Sequence, residues 1–255
     1  STKLNKRSEH VLRGIWVLWT MGFHYLTFTS KRKKYRVDNK ALDCATKQAY
    51  RAKIYEIMRE LSRRMIRAAG TELVIKGKEN LPEHGPVVYM ANHKGLYDSP
   101  IMATLIDKDP AIFIGKDETK KMPVIGDWFD AMGCIYIVRD DMKQSMKAIL
   151  DGIDELKQGQ SVVIFPEGTR QKGPEMGSFK AGSFKLATKA NVPIVPIAIQ
   201  NSYKVLEEKK WIQKATVYVN VGKPIDVAAL TAEEKKKLPQ HVEDIVRALL
   251  AEITE

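Results

Sequence analysis

One stretch of sequence predicts the central elements of the fold: Pro86-Val87-Val88-Tyr89-Met90-Ala91-Asn92-His93-Lys94-Gly95-Leu96-Tyr97-Asp98-Ser99-Pro100. Its first part is a short apolar run bounded by Pro86 and Asn92, which is typical of a buried strand. Asp98 or Ser99, followed by Pro100, predicts the N-cap and first turn of a helix. The stretch therefore predicts a strand, a short loop and a helix.

A histidine stands where this strand ends, and an aspartate where the helix begins. His93 and Asp98 are five residues apart, so their side chains can meet across the loop. A histidine held by a carboxylate is a general base, because the carboxylate fixes the tautomer and stabilises the imidazolium that forms on proton uptake. The alternative is a strand-end histidine beside an ordinary N-cap aspartate, and the spacing alone does not separate the two.

Apolar strand-like segments alternate with helical segments along the rest of the chain. The predicted strands cover residues 72–76, 87–91, 111–114, 134–138, 161–165, 194–199 and 216–221. The predicted helices cover residues 100–106, 142–157, 184–190 and 232–253, and residues 122–132 fit a short helix or a loop. Because several strands are continuously apolar, we expect a layered α/β domain whose largely parallel or mixed sheet is flanked by helices.

Several chemically capable residues follow predicted strands at their carboxyl ends. They are His93, Lys116, Arg139, Glu167 and Arg170. Ligands of such sheets bind beyond the carboxyl ends of the strands, so these positions predict one site. Arginine there suits phosphate or carboxylate, although each cation taken singly could be a surface charge or a sheet-edge ion pair. Gly168 permits a tight turn, and Glu167 could orient Arg170, bind a substrate hydroxyl or only stabilise that turn.

The charge is unevenly distributed along the 255 residues. Residues 1–75 contain 17 Lys and Arg against 6 Asp and Glu, whereas the remaining residues contain 25 of each. A basic N-terminal arm indicates an anionic partner, either nucleic acid or acidic lipid. Cys44 and Cys134 fall in no CxxC pattern, so metal or redox chemistry has little support and a reduced, cytosol-facing setting is expected.

The apolar and aromatic residues of the N-terminal arm favour acidic lipid over nucleic acid as its partner. Residues 14–29 carry no formal charge, and a helix of this length is about 24 Å long, short of the roughly 30 Å hydrocarbon core. The polar residues near it share one stripe: Arg13, Thr20, His24 and Thr27. The remaining surface is rich in aromatic residues, which is typical of a membrane interface. A basic cluster, residues 31–36, precedes a second predicted helix over residues 41–69.

We interpret residues 1–70 as a two-helix segment that anchors the protein in one leaflet, and residues 71–255 as the α/β domain. The basic cluster would then meet acidic head groups. Two alternatives remain open, namely a single membrane-spanning helix and a helix packed on the core or on a dimer partner.

The sequence lacks the patterns of several other chemistries. It has no GxSxG elbow, no P-loop, no GxGxxG after a strand and no HExxH. No serine or cysteine has an evident base partner, so a covalent acyl-enzyme is not indicated. The chemistry that remains is direct, with His93 removing a proton from an acceptor hydroxyl that attacks a carbonyl or phosphoryl centre.

Four ordered motifs resemble those of the glycerolipid acyltransferase superfamily, specifically its lysophosphatidate acyltransferases, over residues 86–199. Asn92-His93 and Asp98 match the HX4D block. The second block is represented by Lys116-Asp117-Glu118, Pro123, Gly126, Gly133 and Arg139. The third is Phe165-Pro166-Glu167-Gly168-Thr169-Arg170, followed by Phe179-Lys180-Ala181-Gly182-Ser183, and the fourth is Val192-Pro193-Ile194-Val195-Pro196-Ile197. The chain departs from the family at Gly95, where Ser is frequent, and at Thr119, where Leu is frequent.

The resemblance implies acyl transfer from acyl-ACP or acyl-CoA to the 2-hydroxyl of lysophosphatidate, which gives phosphatidate in phospholipid biosynthesis. His93 would be the base and Asp98 its orienting residue. The resemblance also implies a substrate-binding set for the phosphate or oxyanion: Lys116, Arg139, Glu167, Gly168, Thr169 and Arg170. No metal or bound cofactor is implied. The expected partners are membrane lipids and acyl carrier protein rather than nucleic acid, at the cytoplasmic face of the inner cell membrane, with monotopic or peripheral attachment.

Three rival interpretations stay open at this point. The enzyme could use another acceptor, such as glycerol-3-phosphate, a different lysophospholipid or a lipid amine. The chain could be a non-catalytic lipid-binding protein of the membrane, which the intact His93 and Asp98 disfavour. A nucleic-acid-binding function is supported by the basic arm alone, and the adjoining aromatic segment argues against it.

Overall fold

The computed structural model describes residues 2–38, 41–138 and 141–253. Within these residues, seven strands form one sheet: β1 (Glu72–Lys76), β2 (Val88–Ala91), β3 (Ala111–Lys116), β4 (Ile135–Ile137), β5 (Ser161–Ile164), β6 (Ile194–Gln200) and β7 (Thr216–Val221). The order across the sheet is β1-β7-β6-β2-β5-β3-β4. Neighbouring strands are parallel except β6 and β7, which are antiparallel. The predicted α/β class with a largely parallel sheet is confirmed.

Helices surround this sheet. Those in the described part of the chain are α1 (Thr2–Thr27), α2 (Thr29–Tyr35), α3 (Cys44–Ala69), α4 (Asp98–Leu105), α5 (Ile125–Met132), α6 (Met142–Lys157), α7 (Lys185–Ala190) and α8 (Ala232–Ala251). Strands β2 and β5 are buried along their whole length. Central strands covered on both faces are apolar throughout, which explains why the sequence of these strands does not alternate. The carboxyl ends of β6, β2, β5 and β3 lie side by side at one edge of the sheet.

The segment over residues 122–132 differs from the single helix or loop that the sequence predicts. A 3-10 turn, Asp117–Lys121, comes first, and α5 begins only at Ile125. Pro123 has no N–H to donate to a helix. Gly126 packs so closely on this turn that a Cβ there would lie 2.4 Å from the carbonyl oxygen of Lys120. The break therefore depends on a close backbone contact as well as on the proline.

Helix α1 turns its polar stripe toward the protein and its aromatic face outward. Thr20 and His24 are buried with Val17, while Thr27 is exposed. The exposed large apolar side chains of α1 are Val11, Leu12, Ile15, Trp16, Leu18, Trp19, Phe23 and Leu26. We call this set the α1 apolar face. Among the described residues, no helix combines the length and the hydropathy that crossing a membrane requires.

The basic cluster is helical and partly engaged within the protein. Arg32, in α2, is buried and forms an ion pair with Asp127 at 2.5 Å. Its guanidinium also lies 3.7 Å from the ring centre of Tyr25. Arg36 pairs with Asp127 as well. Arg32 is therefore unavailable to lipid head groups, contrary to the expectation for the whole cluster.

Helix α3 packs against α1 and α4 and contributes to the same buried core as the strands. It ends at Gly70, whose φ of +72° provides the left-handed C-cap that glycine adopts without strain. The division of the chain into an anchoring segment, 1–70, and an acyltransferase domain, 71–255, stays a prediction.

Candidate active site

The structure brings His93 and Asp98 together at the end of β2. His93 Nδ1 lies 2.7 Å from Asp98 Oδ2. The same oxygen accepts hydrogen bonds from the backbone N–H groups of Lys94 at 2.6 Å and Gly95 at 2.8 Å. The Ser202 hydroxyl donates to Oδ1. Asp98 is fully buried, so its carboxylate depends on these donors for the interactions that water would otherwise supply.

These contacts favour one tautomer of the neutral His93 imidazole. Oδ2 already accepts from two backbone amides, so Nδ1 must carry the proton that completes the His93–Asp98 hydrogen bond. Nε2 is then unprotonated and able to accept a proton. The His93 ring also stacks on Phe165, with centroids 4.1 Å apart, which fixes the plane of the imidazole. The sequence predicts Asp98 or Ser99 as the N-cap of α4, but no side chain caps this helix. The Asp98 carboxylate instead accepts from the loop that precedes the helix.

The turn after β5 holds the backbone of His93. Glu167 Oε1 accepts from the His93 N–H at 2.7 Å, and Oε2 accepts from the Gly177 N–H at 2.8 Å. The Gln171 N–H donates to the His93 carbonyl at 2.8 Å. Burial raises the pKa of Glu167. Among the alternatives for Glu167, the described contacts show a carboxylate that positions backbone rather than one that orients Arg170.

Lys94 ties a second segment to the same loop. Its side chain is fully buried, and Nζ donates to the carbonyl oxygens of Pro174 at 2.5 Å and Glu175 at 2.6 Å. Burial lowers the pKa of Lys94. Because a buried ammonium needs hydrogen-bond acceptors, this lysine links the loop that carries the dyad to the segment that holds Glu167.

Three cationic side chains line the cavity beside the dyad. Arg170 follows the β5 turn, and its Nη1 lies 3.4 Å from Glu207 Oε1. Lys116 ends β3. Lys180 passes over Gly168, where a Cβ would lie 3.0 Å from Lys180 Nζ and where the φ of +70° favours glycine. Three cationic side chains from separate segments of the chain thus line the same cavity.

Of the remaining residues in the proposed binding set, neither Glu167 nor Thr169 lines the cavity. Thr169 is exposed. Arg139 lies outside the described residues, so its role stays a prediction.

The cavity has a volume of about 1110 Å³. At one side it reaches His93, Gly168 and Arg170. Elsewhere its walls are largely apolar and come from four helices, including Val17, Met21, Met58, Leu61, Trp128, Phe129 and Ile149. The arrangement provides a base, positive charge and a long apolar space in one compartment, which suits a ligand with an anionic head and a hydrocarbon chain.

Three residues near the dyad were missed by the sequence interpretation of the site. Lys180 belongs to the quoted Phe179–Ser183 block, so its motif was a signal that could have identified it. Ser202 and Glu207 follow the last motif and lie in the connection from β6 to β7. No local pattern marks them, because both act across the fold on a loop more than a hundred residues earlier.

Comparison with known proteins agrees with this geometry. A family model described as Acyltransferase matches residues 72–200. The 1-acyl-sn-glycerol-3-phosphate acyltransferase of Borreliella burgdorferi is 30% identical over 183 residues, which cover 71% of this chain and 73% of that protein. The Escherichia coli K12 protein of the same name is 26% identical over 185 residues, covering 72% of this chain and 75% of its own length.

The fold has a counterpart among solved structures. The crystal structure of the 1-acyl-sn-glycerophosphate (LPA) acyltransferase PlsC from Thermotoga maritima aligns with a TM-score of 0.75. The alignment covers 95% of this chain and 97% of that one, at 21% sequence identity, and it shows a shared fold. Together with the family match and the curated relatives, it leads to one conclusion: the chain belongs to the acyltransferase family and is an O-acyltransferase.

Proposed function

We propose that this acyltransferase transfers a fatty acyl group from acyl-ACP or acyl-CoA to the 2-hydroxyl of lysophosphatidate, forming phosphatidate for phospholipid biosynthesis. The observation that carries the proposal is the His93–Asp98 contact at 2.7 Å in the wall of a cavity that joins cations to an apolar space. The names of the Borreliella and E. coli relatives support 1-acylglycerol-3-phosphate as the acceptor.

In the proposed mechanism, His93 acts as the general base. Nε2 accepts the proton of the acceptor hydroxyl, and the hydroxyl oxygen attacks the thioester carbonyl carbon. The imidazolium is stabilised by Asp98, and the tetrahedral intermediate collapses with cleavage of the carbon–sulfur bond. The departing sulfur takes the proton from Nε2, which restores the neutral histidine. No covalent acyl-enzyme forms.

Arg170, Lys116 and Arg139 supply the positive charge in this proposal, and Lys180 adds to it. A guanidinium binds a phosphate through parallel N–H donors, and nearby cations also stabilise the oxyanion that develops at the thioester carbonyl. Arg170→Ala is therefore expected mainly to raise KM for lysophosphatidate. Unchanged KM and kcat would exclude a role in phosphate binding.

The purified 255-residue protein tests the activity directly. Labelled lysophosphatidate is offered with acyl-CoA and acyl-ACP donors of graded chain length, and the lipid products are separated. Phosphatidate formation is expected, with no turnover by His93→Ala and normal turnover by His84→Ala, an exposed histidine. Acylation of a different acceptor only would reject the substrate. Phosphatidate formation by His93→Ala at the normal rate would reject the dyad.

Peripheral attachment to the cytoplasmic leaflet is also part of the proposal. The α1 apolar face offers eight large exposed side chains on one helix, an arrangement that binds in the plane of a membrane interface. Leu18, Leu96 and Met142 line the cavity and are exposed as well. A lipid acceptor could thus enter the cavity between apolar side chains without leaving the bilayer surface.

Vesicle binding tests this attachment. Trp16→Glu/Trp19→Glu is expected to release the protein from vesicles that contain anionic phospholipid, because the charges oppose insertion of α1. Ala228→Glu/Ala229→Glu adds the same charge before α8 and is expected to leave binding unchanged. Full sedimentation of the tryptophan variant with vesicles would show that α1 is not the anchor.

A further inference from the structure

Four consecutive backbone N–H groups of the loop between β2 and α4 donate to carboxylates. The His93 N–H donates to Glu167, and those of Lys94 and Gly95 donate to Asp98. The Leu96 N–H donates to Glu207 Oε1 at 2.7 Å. Glu207 differs from the other two acceptors because it lies in the β6–β7 connection, beyond the segment that matches the family model.

Glu207 also reaches the arginine of the site. The oxygen that accepts from Leu96 lies 3.4 Å from Arg170 Nη1, so one carboxylate oxygen contacts both the dyad loop and a cavity-lining cation. The Glu207 side chain is only 7% exposed. Its second oxygen, Oε2, is buried and has no hydrogen-bond partner among the described residues.

A buried carboxylate with one unsatisfied oxygen is costly to maintain. Burial raises the pKa of Glu207, which is the expected response of such a group. Groups of this kind concentrate at functional sites, where positioning outweighs the desolvation that they require. The two contacts of Oε1 identify what this carboxylate positions.

Gly95 shows how closely the carboxylate is fitted to the loop. A Cβ at Gly95 would lie 2.7 Å from Oε2 and 3.1 Å from the carboxyl carbon of Glu207. Any larger residue at position 95 must therefore displace Glu207 or move the loop. The glycine and the glutamate form one packed unit between His93 and Arg170.

We propose that Glu207 is a positioning residue for acyl transfer, which aims the Arg170 guanidinium at the acceptor phosphate and holds the Leu96 end of the dyad loop. The inference rests on the proposed function and adds to it a residue outside the recognised motifs. Glu207 does not touch the reacting atoms. It acts through Arg170 on acceptor binding and through the loop on turnover.

The two roles can be separated by substitution. Gln in place of Glu207 keeps an oxygen that accepts from the Leu96 N–H but loses the charge that attracts Arg170. Glu207→Gln is therefore expected to raise KM for lysophosphatidate about fivefold, with kcat nearly unchanged. Glu207→Ala loses both contacts, so a kcat decrease of about tenfold is expected in addition.

A double-mutant cycle with Arg170 gives the decisive measurement. If Glu207 acts through the guanidinium, Glu207→Gln has no further effect on KM in an Arg170→Ala background. Glu208→Gln, an exposed neighbour with the same charge change, is the matched control and is expected to behave as the parent enzyme. Thermal unfolding of each variant verifies that the fold is retained.

A second cycle uses Gly95 and does not depend on the charge. Gly95→Ala is expected to lower kcat about tenfold in the parent enzyme and to have little effect in the Glu207→Ala background, where the methyl group has room. Equal KM effects of Glu207→Gln with and without Arg170, or an unchanged KM, would overturn the inference. If the parent enzyme forms no phosphatidate, the proposed function fails first, and that outcome is distinct.

Discussion

Replacing Asp98 with asparagine removes a charge while leaving a side chain of the same shape. Three N–H donors converge on Oδ2, so the amide oxygen of Asn must occupy that position. Its NH2 group then faces Ser202, whose hydroxyl can rotate to accept instead of donate. The loop and the histidine tautomer are therefore expected to survive the substitution.

What is lost is stabilisation of the imidazolium. For charges about 4 Å apart at an effective dielectric near 20, the interaction is worth about 4 kcal/mol. The neutral amide retains a hydrogen bond worth about 1 kcal/mol, so the barrier rises by about 3 kcal/mol. At about 1.4 kcal/mol per factor of ten, kcat is expected to fall at least a hundredfold.

The assay is phosphatidate formation from labelled lysophosphatidate at saturating donor, with kcat and KM determined separately. KM is expected to stay close to the parent value, because Asp98 is buried and is not among the residues that line the cavity. Asp244→Asn, at an exposed aspartate of α8, provides the control. A folded Asp98→Asn enzyme with kcat within threefold of the parent would refute the assignment of Asp98 as the partner of the base.

Three further predictions concern the surroundings of the dyad. Lys94→Met removes the two charge-assisted hydrogen bonds from the buried Nζ to the carbonyl oxygens of Pro174 and Glu175, so urea unfolding should show a loss of about 1–3 kcal/mol. Reduced kcat with unchanged KM is also expected, and unchanged stability would contradict a linking role for Lys94. Burial and nearby Arg64 lower the pKa of His24 to about 4, so the folding stability contributed by neutral His24 falls as the pH drops from 6.5 toward 4. Tryptophan fluorescence should show α1 detaching over this pH range, and His24→Leu should remove this pH dependence. EDTA is expected to leave the rate unchanged, and loss of activity that a divalent cation restores would contradict the proposed metal-free mechanism.

Much of the fold could be predicted because its determinants are local. The bounds of α6 agree with the sequence, where Asp141 caps the helix through the Gln144 N–H. The central strands were recognisable because burial on both faces requires continuous apolar sequence. The start of α5 was not, since it depends on how closely Gly126 packs against a preceding turn.

In the candidate site, too, the residues set by local sequence could be predicted and those set by tertiary contacts could not. The five-residue spacing of His93 and Asp98 allowed a contact between them to be predicted, and the positions of the cations after strands allowed one shared site to be predicted, although the assignment also needed the ordered motifs. Ser202 and Glu207 could not be predicted, since their partners lie 104 and 111 residues away. A contact of that kind appears only once the β6–β7 connection has folded over the loop, and no propensity or periodicity encodes it.

The sequence predicted the polar stripe of α1 but not its orientation relative to the rest of the protein. The spacing of Thr20 and His24 placed them on one side, but it did not reveal which side faces the protein. Burial of His24 against Trp128, with ring centres 5.7 Å apart, decided that question through tertiary packing.

The way in which the loop after His93 is held has a consequence for how much its sequence can vary. Three of the four positions before Asp98 are fastened by main-chain amides, which every residue except proline possesses. These amide contacts fix the number of residues between His93 and Asp98 and place no demand of their own on the side chains. The side chains at 94 and 95 are constrained by separate contacts in this chain, since the Lys94 amine binds two carbonyl groups and Gly95 packs against Glu207.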